Sequence, residues 1–227
     1  MNLSEAYNGL TLAIEQFLIA AMTDHLTPLG SVLALTQEAA KVGTGKADPD
    51  VVVFGDLNRF KGLNDQFGHA AGDAAISAVG ESLRKVVKDL GATAYRRGGD
   101  DFVILLQKSN LENLKAKLGS FKTCTFRFEG ITRQTAMSFG YALHEGELDY
   151  AGLLARAETA CQKAKAQGDG ICVEWSPEIE RKTPVHLRDR CTSCDAKISV
   201  TVPKESAPDP SRLTSCPCCG NELTAHG

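Results

Sequence analysis

Three carboxylates and four thiols stand in patterns that can do chemistry. Asp56 follows the apolar run Val51-Val52-Val53-Phe54-Gly55, and Asp100 and Asp101 follow Gly98-Gly99. Adjacent carboxylates repel and raise each other's pKa unless a cation sits between them. Mg²⁺ is held by one or two carboxylates together with substrate phosphates. Two such ions can activate a hydroxyl and stabilise a leaving pyrophosphate. The acids therefore point to metal-assisted phosphoryl chemistry, provided the fold brings them together. Taken alone, Gly-Gly-Asp-Asp reads more simply as a solvated hairpin turn. In the tail, Cys191 and Cys194 form one Cys-x-x-Cys pair, and Cys216 and Cys219 form another. Two such pairs make a tetrahedral Zn²⁺ site, with Cys218 as a spare thiol.

The elements that must position these groups are legible from periodicity. Residues 3–22 repeat Ala6, Leu10, Leu12, Ile14, Phe17, Leu18 and Ala21 at helical spacing, with Ser4 as the expected N-cap. A second helix is expected over 31–41. The run 51–54 is continuously apolar, as in a central strand covered on both faces, and delivers Asp56 at its end. Helical patterns follow at 59–67 and 72–90. Strands at 93–96 and 102–107 flank the Gly-Gly turn, where positive φ costs glycine little. A helix at 111–118, strands at 123–129 and 134–143, a helix at 150–167 and a strand at 171–175 complete the pattern. This order predicts an α+β fold, a mixed central β-sheet with surrounding helices. Residues 176–190 are charged and hold two prolines, which reads as a linker. The domain reading is an N-terminal helix at 1–23, a catalytic-type domain at 24–176, a linker at 177–187 and a zinc ribbon at 188–227.

Composition narrows the class. The chain has 227 residues, 43% apolar and 23% charged, as in an ordinary globular protein. A net charge of −3 supplies no general basic field for a polyanion. No span reaches the roughly 18–20 apolar residues of a membrane helix, and the N-terminus lacks the pattern of a secretory leader. The expectation is a cytoplasmic protein without membrane contact, whose clustered cysteines bind metal rather than form disulfides. The tail is too poor in apolar residues to fold unaided, which strengthens the zinc reading.

Five ordered blocks now give the acids a context. Asp24-His25-Leu26-Thr27-Pro28-Leu29 resembles the opening D-x-L-T-x-L of the GGDEF family, the diguanylate cyclases. Asp56-Leu57-Asn58-Arg59-Phe60-Lys61-Gly62-Leu63-Asn64-Asp65 resembles D-x-D-x-F-K-x-x-N-D. Gly68-His69-Ala70-Ala71-Gly72-Asp73 resembles G-H-x-x-G-D, Arg96 to Phe102 resembles R-x-G-G-D-E-F, and Ala164-Lys165-Ala166-Gln167-Gly168 resembles A-K-x-x-G. The resemblance implies a palm-like nucleotidyl cyclase. Asp56, Asp100 and the Leu57 carbonyl would hold Mg²⁺ or Mn²⁺, and Asp101 would complete the acidic cluster. Asn64 and Asp73 would read the guanine edge, Lys165 would meet the triphosphate, and backbone N–H groups around Phe60 and Lys61 would cradle it. His69 reads as a packing residue.

The departures are specific. Asp101 stands where the family has glutamate, a GGDD variant also carried by the related palm domains of type III CRISPR polymerase subunits. Asn58 replaces the second acid, and Asp169 replaces the arginine that follows A-K-x-x-G. Gly30-Ser31 replaces Asn-Arg. The inhibitory R-x-x-D site is absent, with Asp89 and Ala92 at its ends. The resemblance implies condensation of two GTP into cyclic di-GMP by a homodimer, with release of pyrophosphate. Alternatives are a related palm-type enzyme making another cyclic dinucleotide or an oligonucleotide from other nucleoside triphosphates, and a GTP-binding scaffold acting through its ribbon. The ribbon's partner would be a protein or a nucleic acid.

Overall fold

The structure, a computed structural model, describes residues 3–45, 48–146, 148–182, 184–190 and 197–203. It divides into two units, residues 1–175 and 176–227.

Unit one is built on β1 (Val51–Leu57), which lies between β3 (Asp101–Leu106) and β6 (Met137–Leu143), antiparallel to both. β2 (Thr93–Gly98) flanks β3, and β7 (Cys172–Glu174) runs parallel to β6, giving the order β2-β3-β1-β6-β7. The sheet is mixed, as expected. Side-chain alternation along β1 feeds two cores. Val51, Val53 and Leu57 pack with α4 (His69–Lys88) and α5 (Leu111–Leu118), whereas Val52 and Phe54 pack with α2 (Val32–Ala39) and α6 (Tyr150–Gln167). A strand buried on both faces reads as an uninterrupted apolar run, and Val51, Val52 and Val53 are all at most 1% exposed.

Several boundaries moved for physical reasons. The single strand expected over 134–143 is two: β5 (Ile131–Thr135) pairs with β4 (Cys124–Phe128) as a separate hairpin, and β6 joins the main sheet. No glycine or proline marks the break at Ala136; the change of partner makes it. β1 runs on to Leu57, so Asp56 lies within the strand, in register with Asp101. α3 (Phe60–Phe67) and α4 nearly abut, sharing Gly68 as C-cap and N-cap. Ser31 caps α2 at Ala34 N and also donates to the Ala21 carbonyl, at 3.3 and 2.7 Å, which gives the Gly30-Ser31 departure a local role.

α1 (Leu3–Met22) starts one residue before the expected cap Ser4. Only its last residue, Met22, packs against a core among those described, whereas Tyr7, Leu10, Ile14 and Phe17 are 51–71% exposed. Among the described residues, no helix is long and apolar enough to cross a membrane.

In unit two, the stretch read as a linker is structured. α7 (Pro177–Lys182) is followed by β8 (Pro184–Arg190), which pairs antiparallel with β9 (Lys197–Pro203). The two prolines that suggested a linker occupy the first position of a helix and of a strand, where a missing N–H is tolerated. Residues 191–196, which carry Cys191 and Cys194, and residues 204–227, which carry Cys216 and Cys219, lie outside the described residues.

Candidate active site

The site gathers at one end of the central strand. Asp56 and Asp101 are paired across β1 and β3, and Asp100 sits in the turn just before β3. One carboxylate oxygen from each of Asp56, Asp100 and Asp101 lies within 4.8 Å of the others. The turn that makes this possible uses left-handed backbone at Gly98 (φ 149°) and Gly99 (φ 52°), where a side chain would be strained.

Burial and mutual repulsion mark the cluster. Burial pushes Asp56 up to about 6; Lys165 opposes this, and Asp100 and Asp101 add to it. Asp101 is also raised, by burial and then by Asp100. Lys165, from the last turn of α6, places Nζ 2.5 Å from Asp56 Oδ2. Asp56 Oδ1 is buried without a hydrogen-bond partner. Hard oxygen donors, one of them orphaned, held this close against their own repulsion are a set that suits a divalent cation such as Mg²⁺.

Two cavities meet at this point. One, about 530 Å³, is lined among others by Phe54, Asp56, Arg97, Asp101, Glu158 and Lys165. The other, about 290 Å³, is lined by Asn58, Arg59, Lys165, Gly168 and Asp169. Lys165 borders both. Arg97 and Glu158 form an ion pair at the rim of the larger one.

Asn64 lies on α3 and Asp73 in the first turns of α4. Gly72 lets the helices approach: a Cβ there would sit 2.0 Å from Asn64 Oδ1 and 3.0 Å from Phe60 Cζ. Asn64 Oδ1 is buried against Gly72 and has no hydrogen-bond partner. Asp73 is exposed. Phe60 and Lys61 begin α3, which Asn58 and Arg59 join to β1, and Leu57 is the buried last residue of that strand. The chain thus brings Asp56, Asp100, Asp101 and Lys165 together, and sets Asn64 against Gly72 and Phe60.

Two arrangements were invisible to sequence reasoning. Arg96 and Asp24 form a pair whose side chains are 9% and 10% exposed, and Arg96 Nε donates to the Gly99 carbonyl at 2.9 Å. Asp24 also accepts from Leu26 N, Thr27 N and Thr27 Oγ1 at 2.8–3.2 Å. The opening block thus tethers the acidic turn through Arg96. The second is a bridge from Asp169 to Asn58 and Arg59. Both ends of each contact lie in or beside blocks quoted above; only their pairing was hidden.

The comparisons agree with this geometry. A family model described as diguanylate cyclase, GGDEF domain, matches residues 21–170. Diguanylate cyclase DgcP of Pseudomonas aeruginosa is 33% identical over 156 residues, which are 65% of this chain and 23% of that protein. Cyclic di-GMP phosphodiesterase PdeR of Escherichia coli is 31% identical over 181 residues, 77% of this chain and 27% of that one. The chain spans about a quarter of the length of these two relatives. Among solved structures, the coiled coil and GGDEF domain of DgcB from Caulobacter crescentus, in complex with c-di-GMP, shares the fold. It has a TM-score of 0.64 at 22% identity and covers 75% of this chain and 94% of that one. With most of its first unit matched by the family model and its acidic turn set beside Asp56, the chain belongs to the GGDEF domain family.

Proposed function

We propose that this protein is a diguanylate cyclase-like nucleotidyltransferase that condenses two GTP into cyclic di-GMP with release of pyrophosphate. The observation that carries the reading is the convergence of Asp56, Asp100 and Asp101 within 4.8 Å, against Lys165. Asp56, Asp100 and the Leu57 carbonyl would hold Mg²⁺ or Mn²⁺, which supplies hydroxyl activation and charge neutralisation at the phosphates when bound. Asp101 completes the cluster at the position where the family has glutamate.

The remaining residues bind and orient. Asn64 offers its orphaned Oδ1 and its amide N–H, and Asp73 a carboxylate, to the N1–H, N2–H and O6 edge of guanine. Lys165 and the backbone around Phe60 and Lys61 face the triphosphate. Incubation with GTP and Mg²⁺ is expected to release pyrophosphate and yield cyclic di-GMP by mass spectrometry, and Asp100→Ala is expected to abolish both. If no purified nucleoside triphosphate is consumed, the enzymatic reading is wrong. A different cyclic dinucleotide or an oligonucleotide would keep the chemistry and change the base assignment.

Cyclisation requires two sites face to face, and α1 suits that need. Tyr7, Leu10, Ile14, Phe17 and Ala21 recur at alternating spacings of three and four residues, the seam of a coiled coil. The occupant of that exposed seam is a second copy of this chain. Replacing Ile14 and Phe17 by glutamate should leave a folded monomer in light scattering and end cyclic product formation; an unchanged dimer would exclude this seam.

For unit two, Cys191, Cys194, Cys216 and Cys219 are proposed to hold one structural Zn²⁺. β9 opens the stretch that separates the two cysteine pairs, and binding a protein or nucleic-acid partner is the proposed role.

A further inference from the structure

Asn58 and Asp169 are separate departures in sequence, but they are one arrangement in space. Asn58 Nδ2 donates to Asp169 Oδ1 at 2.6 Å and to Ser138 Oγ at 2.9 Å. Ser138 Oγ donates in turn to the Gly168 carbonyl at 3.0 Å. Asn58 is 8% exposed and Ser138 fully buried, so this frame is fixed. An acid at position 58 would face the Asp169 carboxylate without a proton to share; an amide supplies the donor instead. The two departures are therefore complementary, one as donor and the other as acceptor.

The other oxygen of Asp169 has a different partner. Its Oδ2 accepts from Arg59 NH2 at 2.6 Å, an ion pair across 110 residues of sequence. Arg59 has φ 59° and ψ 26°, left-handed backbone that a branched-chain or long side chain adopts only at a cost. That conformation turns its side chain toward Asp169 at the mouth of the smaller cavity, where Lys165 supplies the second cation. The guanidinium has five N–H donors and uses one on Asp169, on a side chain that is 75% exposed and lines the smaller cavity. Arginine forks match phosphate oxygens.

We propose that Arg59, held in place by Asp169 and Asn58, is a triphosphate-binding residue of this site. Asp169 is a positioning residue: it aims a cation at the phosphates instead of presenting bare negative charge to them. This inference rests on the nucleotide-binding reading above and deepens it.

The test is binding rather than turnover. Isothermal titration of the full chain with α,β-methylene GTP and with GMP, both in Mg²⁺, separates phosphate contacts from base contacts. Arg59→Gly removes the guanidinium while leaving a residue at ease in the left-handed turn. It should weaken the triphosphate analogue by about tenfold, the order of one charge-assisted hydrogen bond, and GMP by less than about twofold. Adding Asp169→Arg to that variant returns a cation to the same rim and should recover most of the lost affinity. Equal losses for both ligands, no loss at all, or a double variant no better than Arg59→Gly would each overturn the assignment. Failure of the unaltered chain to bind either nucleotide would instead overturn the functional reading on which it rests.

Discussion

Arg96→Met tests the tether between the opening block and the acidic turn. Arg96 and Asp24 are about nine-tenths buried, and breaking a buried ion pair by removing one partner costs about 3–5 kcal/mol. Three donors from Leu26 and Thr27 remain on Asp24, so its carboxylate is not left bare and the lower end applies. Loss of the bond to the Gly99 carbonyl adds about 1 kcal/mol, giving about 4 kcal/mol in all. Urea unfolding at pH 7 measures this directly. Asp24→Asn combined with Arg96→Met should cost less than the sum of the two single variants, because both remove the same interaction. The pH dependence has a definite sign. Burial raises Asp24, but the Thr27 hydroxyl, Arg96 and the local N–H groups together hold it below the usual carboxylate range. The stability it contributes is present above the ordinary carboxylate pKa and lost as pH falls through the lowered one. The gap between native and Arg96→Met proteins should therefore narrow in acid. Pyrophosphate release should fall at least about tenfold in the variant with little change in KM, since the turn and not the base site is released. A stability loss under about 1 kcal/mol, or strict additivity with Asp24→Asn, would refute the tether.

Four further outcomes can be measured. Mg²⁺ should raise the thermal midpoint at pH 7.5, with the gain fading as pH falls through about 6, where Asp56 takes up a proton; a gain independent of pH would remove Asp56 from the metal set. The same raised value means that, without metal, Asp56 contributes stability that is present below about 4 and lost by about 6, so Asp56→Asn should stabilise the metal-free protein at pH 7, as denaturant melts would show. Gly72→Ala should leave stability within about 1 kcal/mol, helped by helix propensity, yet weaken GTP by about tenfold or more, because the new methyl displaces Asn64; equilibrium titration decides it. Elemental analysis should find one zinc per chain, lost in Cys191→Ser and Cys219→Ser and kept in Cys218→Ser, with loss in the last reassigning the ligand.

How far the sequence could be read depended on the range of the interaction. α5 and α6 end where periodicity places them, Leu111–Leu118 and Tyr150–Gln167, because helical repetition is local and Asp149 caps α6 in the ordinary way. β1 was legible because burial on both faces writes itself as an apolar run. The split at Ala136 was not, since nothing local separates a residue paired to β4 from the next one paired to β1. In the site, the identities of Asp56, Asp100, Asp101 and Lys165 were visible, and their proximity is what the fold adds. The partnerships of Arg96 with Asp24 and of Arg59 with Asp169 span 72 and 110 residues, and no spacing rule connects such positions. Asp169, read in sequence as a lost cation, therefore became intelligible only with Arg59 beside it.

Asp56 rides on the innermost strand of the sheet, with two strands on either side and a helical layer over each face. The amides of Val52, Val53 and Phe54 should consequently exchange with deuterium only when the whole unit opens. The carboxylate's position is then not a separately adjustable property of a loop. It persists for as long as the domain does, and a substitution elsewhere that weakens the domain should shorten the lifetime of the assembled site without first blurring its geometry.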